Sequence, residues 1–420
     1  MVVAAALTLA SAMGGRGQPL PIHTLAGNAA AGATNGFGSN ARFNHPSGIA
    51  SDSVGNVYVA DTENSTVRKI TADGYASTLA GLAGNYGSTD GDGLNARFYG
   101  PQGVAADNAG QVFVADTANS TIRKVTAAGV VSTYAGAAGI VNSYDGAGAN
   151  ARFYHPEGLA LDAGGNLYVA DTWNHTIRKI TPAGAVSTLA GLAGYFGATD
   201  GTNSKARFNR PAGIAVDSAT NLYIADCLNH VIRKFTPAGK ASTIAGLAGV
   251  WGSADGTNSN ARFYLPQGIS VAAGGEIFVG DSGNQTLRKV TLIGTNWVVS
   301  TVAGLSGLAG RTNGTGSSAR FYFPTGIALD SAGYLYAADM ANNEARTTRV
   351  VPPTLQYEMA GNQLILSWPV SADGFALEES AALGPLASWS PAMNGVFSVG
   401  DNFVRTNALI GAEFYRLHLP

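Results

Sequence analysis

Ala151-Arg152-Phe153-Tyr154-His155-Pro156-Glu157-Gly158-Leu159-Ala160-Leu161-Asp162 is followed by Gly165-Asn166-Leu167-Tyr168-Val169-Ala170-Asp171. Then come Thr176-Ile177-Arg178-Lys179-Ile180 and Val186-Ser187-Thr188-Leu189-Ala190-Gly191. These are four short apolar runs rich in β-branched and aromatic residues, which favours strands over helices at such lengths. Asp162 to Asn166, Asp171 to His175 and Pro182 to Gly184 separate the runs. Their Asp, Asn, Gly and Pro residues suit hairpin turns. The stretch therefore reads as a four-stranded antiparallel meander.

The same text recurs along the chain. Ala-Arg-Phe appears with its arginine at 42, 97, 152, 207, 262 and 320, spaced by 55 residues four times and then by 58. Pro-x-Gly opens the first strand at Pro46, Pro101, Pro156, Pro211, Pro266 and Pro324. A Thr-aliphatic or Thr-Tyr pair before Ala-Gly marks the fourth strand at Thr24, Thr78, Thr133, Thr188, Thr243 and Thr301. A meander of this length that repeats is the blade of a β-propeller. The fold class is all-β: a six-bladed propeller over residues 22–351. One fourth strand precedes everything else, so Ile22 to Gly27 is expected to close the ring against the last third strand, Glu344 to Val350. Closure removes an exposed sheet edge. The extra three residues are expected in the turn at Ile293 to Asn296, where an insertion costs little.

Asn174-His175-Thr176 and Asn229-His230-Val231, inside a Tyr-Val-Ala-Asp-Thr-x-Asn-x-x-Ile-Arg-Lys context, resemble the Asn-His-Leu triplet of bacterial NHL repeats. The other copies carry Ser65, Ser120, Gln285 and Asn343 in place of the histidine. The sixth copy has Ala345, Arg346 and Thr347 where others have Ile-Arg-Lys. A terminal repeat is commonly atypical.

Residues 1–21 read as a signal-like or disordered terminus. Val2 to Ala12 is a small-apolar run, Ala10-Ser11-Ala12 suits cleavage, and no basic segment precedes it. Export is expected, to the periplasm or outside the cell, and no stretch is long enough to be transmembrane. The single cysteine, Cys227, excludes an intrachain disulfide and reads as a small packed side chain. Pro352-Pro353 reads as a linker. Residues 354–420 alternate with period two through Leu364, Leu366, Trp368, Phe375, Leu377 and Phe414. They look like a small immunoglobulin- or fibronectin-like sandwich with Trp368 in its core.

The chemistry must be sought where copies differ. Seventeen of the 25 basic residues sit in the two repeated positions, Ala-Arg-Phe and Arg-Lys. No basic stripe is left for nucleic acid. Residues that recur in every blade, the arginines and Asp61, Asp116, Asp171, Asp226, Asp281 and Asp339, read as construction. They are expected to form arginine–carboxylate and arginine–carbonyl bonds between neighbours. The long connections carry Asn35, Asp90, Asp145, Asp200, Asp255 and Asn313. Calcium binding is one reading, prompted by Asp90-Gly91-Asp92; a turn residue capping its own backbone is the other. Before the first-strand proline stand His45, Gly100, His155, Arg210, Leu265 and Phe323, beside the expected central channel. His45 and His155 are candidate metal ligands, with Glu157 nearby. The resemblance implies zinc held by histidines, as in NHL-type amidating lyases, or calcium, as in six-bladed lactonases.

The connection-bearing face also carries variable aromatics. Tyr86, Tyr144, Tyr195, Phe196 and Trp251 lie on long loops, and Trp173 lies on a turn. With His175, His230, Arg210 and Glu63 they read as a recognition surface. Packing of the loops on one another is the competing reading. The expectation is a monomeric, exported module that binds a protein, peptide or glycan. A metal-dependent lyase or lactonase is the alternative, and a passive surface or matrix scaffold the third reading.

Overall fold

In the third repeat Leu159–Leu161, Leu167–Asp171, Thr176–Ile180 and Ala185–Gly191 pair in sequence as an antiparallel meander. The computed structural model describes residues 17–350. In the C-terminal part it describes 356–360, 363–369, 376–380, 388–399, 402–408 and 414–418. The Val2 to Ala12 run and the Pro352-Pro353 pair lie outside the described residues.

Each sheet formed by the repeats has five strands, not the four expected from sequence. The additional strand is two residues long and starts at the glycine after Asn35, Asp90, Asp145, Asp200, Asp255 or Asn313. Gly91–Asp92, for example, pairs with Val130 and Val131 on the outer edge of the second sheet. Two residues between turns carry too little apolar pattern to be read as a strand. Only the neighbouring edge, with its unpaired backbone groups, recruits them. Six such five-stranded sheets occur, and their first strands contact one another in cyclic order. Both faces of the second strand are buried in every sheet. This is a β-propeller.

The axis explains the Pro-x-Gly signature. A Cβ on Gly103 would lie 1.8 Å from the carbonyl oxygen of Glu157 in the next sheet. The same encounter recurs from Gly48 to Gln102, Gly158 to Ala212, Gly213 to Gln267, Gly268 to Thr325 and Gly326 back to Ser47, at 1.9 to 2.4 Å. Only glycine permits this approach. The waist of the channel that remains has a volume of about 70 Å³.

The last sheet is completed by Pro21–Gly27, which pairs antiparallel with Glu344–Thr347. Ile22, Leu25 and Ala26 are buried there. The three-residue excess does not enlarge a turn. It lengthens the fifth sheet's outer hairpin to Thr286–Ile293 and Asn296–Gly304, with Ile293 opposite Asn296. In the C-terminal part a four-stranded and a three-stranded antiparallel sheet share a core of Leu366, Trp368, Leu377 and Ala392, with Trp368 fully buried.

Candidate functional site

The repeated charges are spent on the blades. Arg178 is fully buried. Its Nη1 donates to Asp171 Oδ2 (2.7 Å) and to the Arg152 carbonyl (3.0 Å). Its Nη2 donates to Asp145 Oδ1 (2.8 Å) and to the Tyr144 carbonyl (2.9 Å). The same arrangement surrounds Arg68, Arg123, Arg233, Arg288 and Arg346. Each of these arginines therefore clamps its blade to the connection arriving from the previous one. The Ala-Arg-Phe arginines do something else. Arg97 Nη1 donates to the Leu94 and Ala96 carbonyls, closing its own loop. The expected carboxylate network thus belongs to the Arg-Lys arginine alone.

Asp90 and its equivalents fit neither reading offered by the sequence. Asp90 accepts from Arg123 and from the amide and hydroxyl of Thr133, across the sheet. Asn35 and Asn313 present the same Oδ1 to Arg68 and Arg346, so an amide serves where a carboxylate is expected. The signal was the recurring pair of this Asp or Asn with a threonine, 43 residues on in four copies and 46 in a fifth.

The histidines of the Asn-His triplets bond neighbouring blades together. His175 and His230 close the turn after the second strand at φ of 59° and 60°. Their Nδ1 atoms accept from the backbone N–H of Arg210 (3.1 Å) and Leu265 (3.2 Å) in the following blade. Asn343, Ser120 and Gln285 play the same part toward His45, His155 and Phe323. Any polar acceptor suffices, which is why the triplet tolerates Ser, Gln and Asn. Burial lowers the pKa of both histidines; Arg210 lowers that of His175 further. An imidazole accepting at Nδ1 must be neutral there.

The residues before the prolines all adopt left-handed backbone: His45 at 50°, His155 at 45°, Arg210 at 49°, Leu265 at 50° and Phe323 at 61°. Such strain persists only where the surroundings fix it, and it concentrates at functional sites. Among the described residues no three or more His, Cys, Asp or Glu are arranged so that they could hold a metal ion. His45 bonds its neighbour Asn44 (3.1 Å), while His155 packs on Trp173.

One sector breaks the repeat. The Arg210 guanidinium lies 4.2 Å over the Trp173 ring, whose centroid is 4.9 Å from that of His155 and 5.3 Å from Tyr154. Trp173 is 37% exposed. Below them Glu157 lines the channel waist, and its carboxylate makes no hydrogen bond or ion pair among the described residues. Burial pushes the Glu157 carboxyl up to about 7, against the pull of Arg210. Cys227 is buried beside this sector, and its thiol is driven up by burial and by Glu157.

The remaining aromatics form separate contacts. Tyr86 stacks on Tyr99 at 4.8 Å, Trp251 on Tyr264 at 4.9 Å, and Phe196 meets His175 at 5.8 Å. Tyr86, Tyr195, Phe196 and Trp251 are 63–70% exposed. Loop packing and exposure therefore coexist. Sequence reasoning missed Tyr99, Tyr154 and Tyr264, although Ala-Arg-Phe-Tyr recurs in four copies.

The NHL repeat model matches residues 43–70, 98–125, 153–180, 208–235 and 263–290. The chain carries five NHL repeats. Each match runs from the phenylalanine of Ala-Arg-Phe to the end of the third strand, or in the fifth repeat to Val290 within it. The sixth unit keeps the Asp339–Arg346 pair despite its altered third strand. Among curated proteins, Protein SUPPRESSOR OF QUENCHING 1, chloroplastic, of Arabidopsis thaliana is 28% identical over 282 residues, covering 62% of this chain and 26% of that protein. Human NHL repeat-containing protein 2 is 27% identical over 298 residues, covering 62% of this chain and 41% of that one. The chain thus spans well under half of these relatives. A solved Bacteroides thetaiotaomicron protein of unknown function superposes with a TM-score of 0.60 at 21% identity, covering 78% of this chain and 75% of that one. An auxiliary nutrient binding protein from Bacteroides ovatus gives 0.57 at 18%, covering 79% and 76%. At these identities the solved neighbours establish the fold alone.

Proposed function

We propose that the chain is an exported six-bladed β-propeller, closed by its N-terminal strand over residues 22–351 and followed by a small β-sandwich over 354–420. On its connection-bearing face it binds a peptide or glycan ligand. One observation carries the reading: a tryptophan in contact with both a guanidinium and an imidazole, near a channel-lining carboxylate that has no hydrogen-bond or ion-pair partner among the described residues, in one sector of an otherwise repeated ring. A waist of about 70 Å³ holds little more than water, so the ligand rests on the mouth. Arg210, pre-oriented by Trp173 and without a carboxylate partner among the described residues, suits an acidic group. The exposed part of Trp173 suits an apolar or ring surface, and Glu157 suits a hydroxyl or amine. The nutrient-binding description of a neighbour with this fold accords with a binding role.

Glycan and peptide arrays probed with the purified chain test this. Ligands are expected to include acidic members, and binding should drop at least about tenfold in Trp173→Ala and in Arg210→Ala. Thermal midpoints should stay close to the parent's. Ligands indifferent to both substitutions would refute the site.

A further inference from the structure

A second break in the repeat lies on the opposite face, between the second and third sheets. In four blades the hairpin aspartate gives one oxygen to a tyrosine hydroxyl. Asp52 pairs with Tyr58 (3.1 Å), Asp162 with Tyr168 (3.0 Å), Asp217 with Tyr223 (3.2 Å) and Asp330 with Tyr336 (2.9 Å). In the second blade that tyrosine is Phe113. Asp107 Oδ1 still holds the turn by accepting from Ala109 and Gln111 amides, but Oδ2 has no partner among the described residues. The lysines change too. Lys69, Lys179, Lys234 and Lys289 lie 5.5 to 5.8 Å over the ring of the adjacent strand. Among the described residues Lys124 has neither a ring nor a carboxylate partner. Tyr134, aromatic where other blades carry Leu79, Leu189, Ile244 and Val302, stands 5.1 Å from Phe113 instead.

These departures surround a cleft of about 490 Å³ lined by Asp107, Gln111, Phe113, Lys124, Tyr134 and Asp162. That lies within the size range of small-molecule sites. We propose that this cleft binds a neutral polyhydroxylated molecule of monosaccharide to disaccharide size. A free carboxylate oxygen accepts from hydroxyls, a free ammonium donates to them, and the aromatic walls cover the apolar C–H face. Two carboxylates against one ammonium disfavour an anionic guest. The proposal is independent of the axial mouth, and its ligand need not be the same.

Isothermal titration of the full chain with D-glucose, D-galactose and maltose tests it. Saturable binding with a dissociation constant of about 0.1–10 mM is expected for at least one of the three. Lys124→Met should weaken it at least tenfold. Phe113→Tyr, which returns to Asp107 the hydroxyl its counterparts have, should do the same while keeping or raising the thermal midpoint. No saturable heat from any of the three sugars overturns the proposal, as does an affinity indifferent to Phe113→Tyr. Trp173→Ala is the separating arm: sugar binding that disappears with it, rather than with Lys124→Met, also overturns the cleft and moves the sugar to the axial mouth.

Discussion

Replacing Arg178 by methionine should be among the most damaging single changes in the chain, and more so at pH 8 than at pH 5. Arg178 and Asp171 are both fully buried and 2.7 Å apart. Methionine fills much of the volume but leaves the carbonyls of Arg152 and Tyr144 and the Asp171 carboxylate without their shared donor. Removing one member of a buried pair costs about 3–5 kcal/mol, a large part of the stability of a typical domain. The pH dependence has a definite sign. Burial pushes the Asp171 carboxyl up to about 6 even with Arg178 pulling it down. A folded-state value above the ordinary 3.8 means that stability from this group is lost as pH rises through 6. Without the guanidinium the folded value climbs higher, so the variant loses more across the same interval. Asp145→Asn is the companion control. Asp145 is half exposed, and Asn35 and Asn313 already fill its place in two blades, so the cost should be about 0–1 kcal/mol. Urea midpoints followed by tryptophan fluorescence at both pH values give the comparison. A cost below about 1 kcal/mol for Arg178→Met at pH 8, or one that does not change with pH, would show that the clamp reasoning is wrong.

His175→Gln should keep the interblade bond, since Gln285 accepts from Phe323 at 2.6 Å in the same position. The His175 pKa is lowered from 6.5, so its stability contribution is present above that value and lost on acidification. Melting scans should find parent and variant alike at pH 8, with the parent falling faster below 6.5; parallel curves would discount the imidazole. Gly103→Ala would place a methyl 1.8 Å from the Glu157 carbonyl and should cost at least about 3 kcal/mol, read from the fraction of soluble folded protein. Normal yield and melting would mean the axis can open. Deleting residues 22–27 strips the buried Ile22 and Leu25, each worth roughly 1.5–3 kcal/mol, and bares the edge of Glu344–Thr347. Light scattering should then report aggregates; a monomer that melts like the intact chain would rule out the closing role of that strand.

The repeat itself was legible because it is written in local chemistry. The Leu167–Asp171 and Thr176–Ile180 strands show dense β-branched content between Asp, Asn and Gly turns, and the placement of Pro21–Gly27 followed from counting. Arginines and aspartates present in every copy were correctly set aside as construction. The two-residue outer strands were not legible, because nothing in Gly91–Asp92 alone prefers extension until an edge is offered. Nor did the sequence divide labour between Arg97 and Arg123, since both are arginines of one repeat and only burial separates them.

The amino-acid sequence by itself determined the repeated unit and the residues in which copies differ, since each strand and turn depends on neighbours a few positions away. Tertiary structure alone decided which of those differences meet. Trp173 and Arg210 belong to different blades, and the cleft lined by Phe113 and Lys124 of the second blade is completed by Asp162 of the third. The physical reason is distance: covalent order fixes contacts within a hairpin, whereas a contact between blades exists only once the sheets have packed around a common axis.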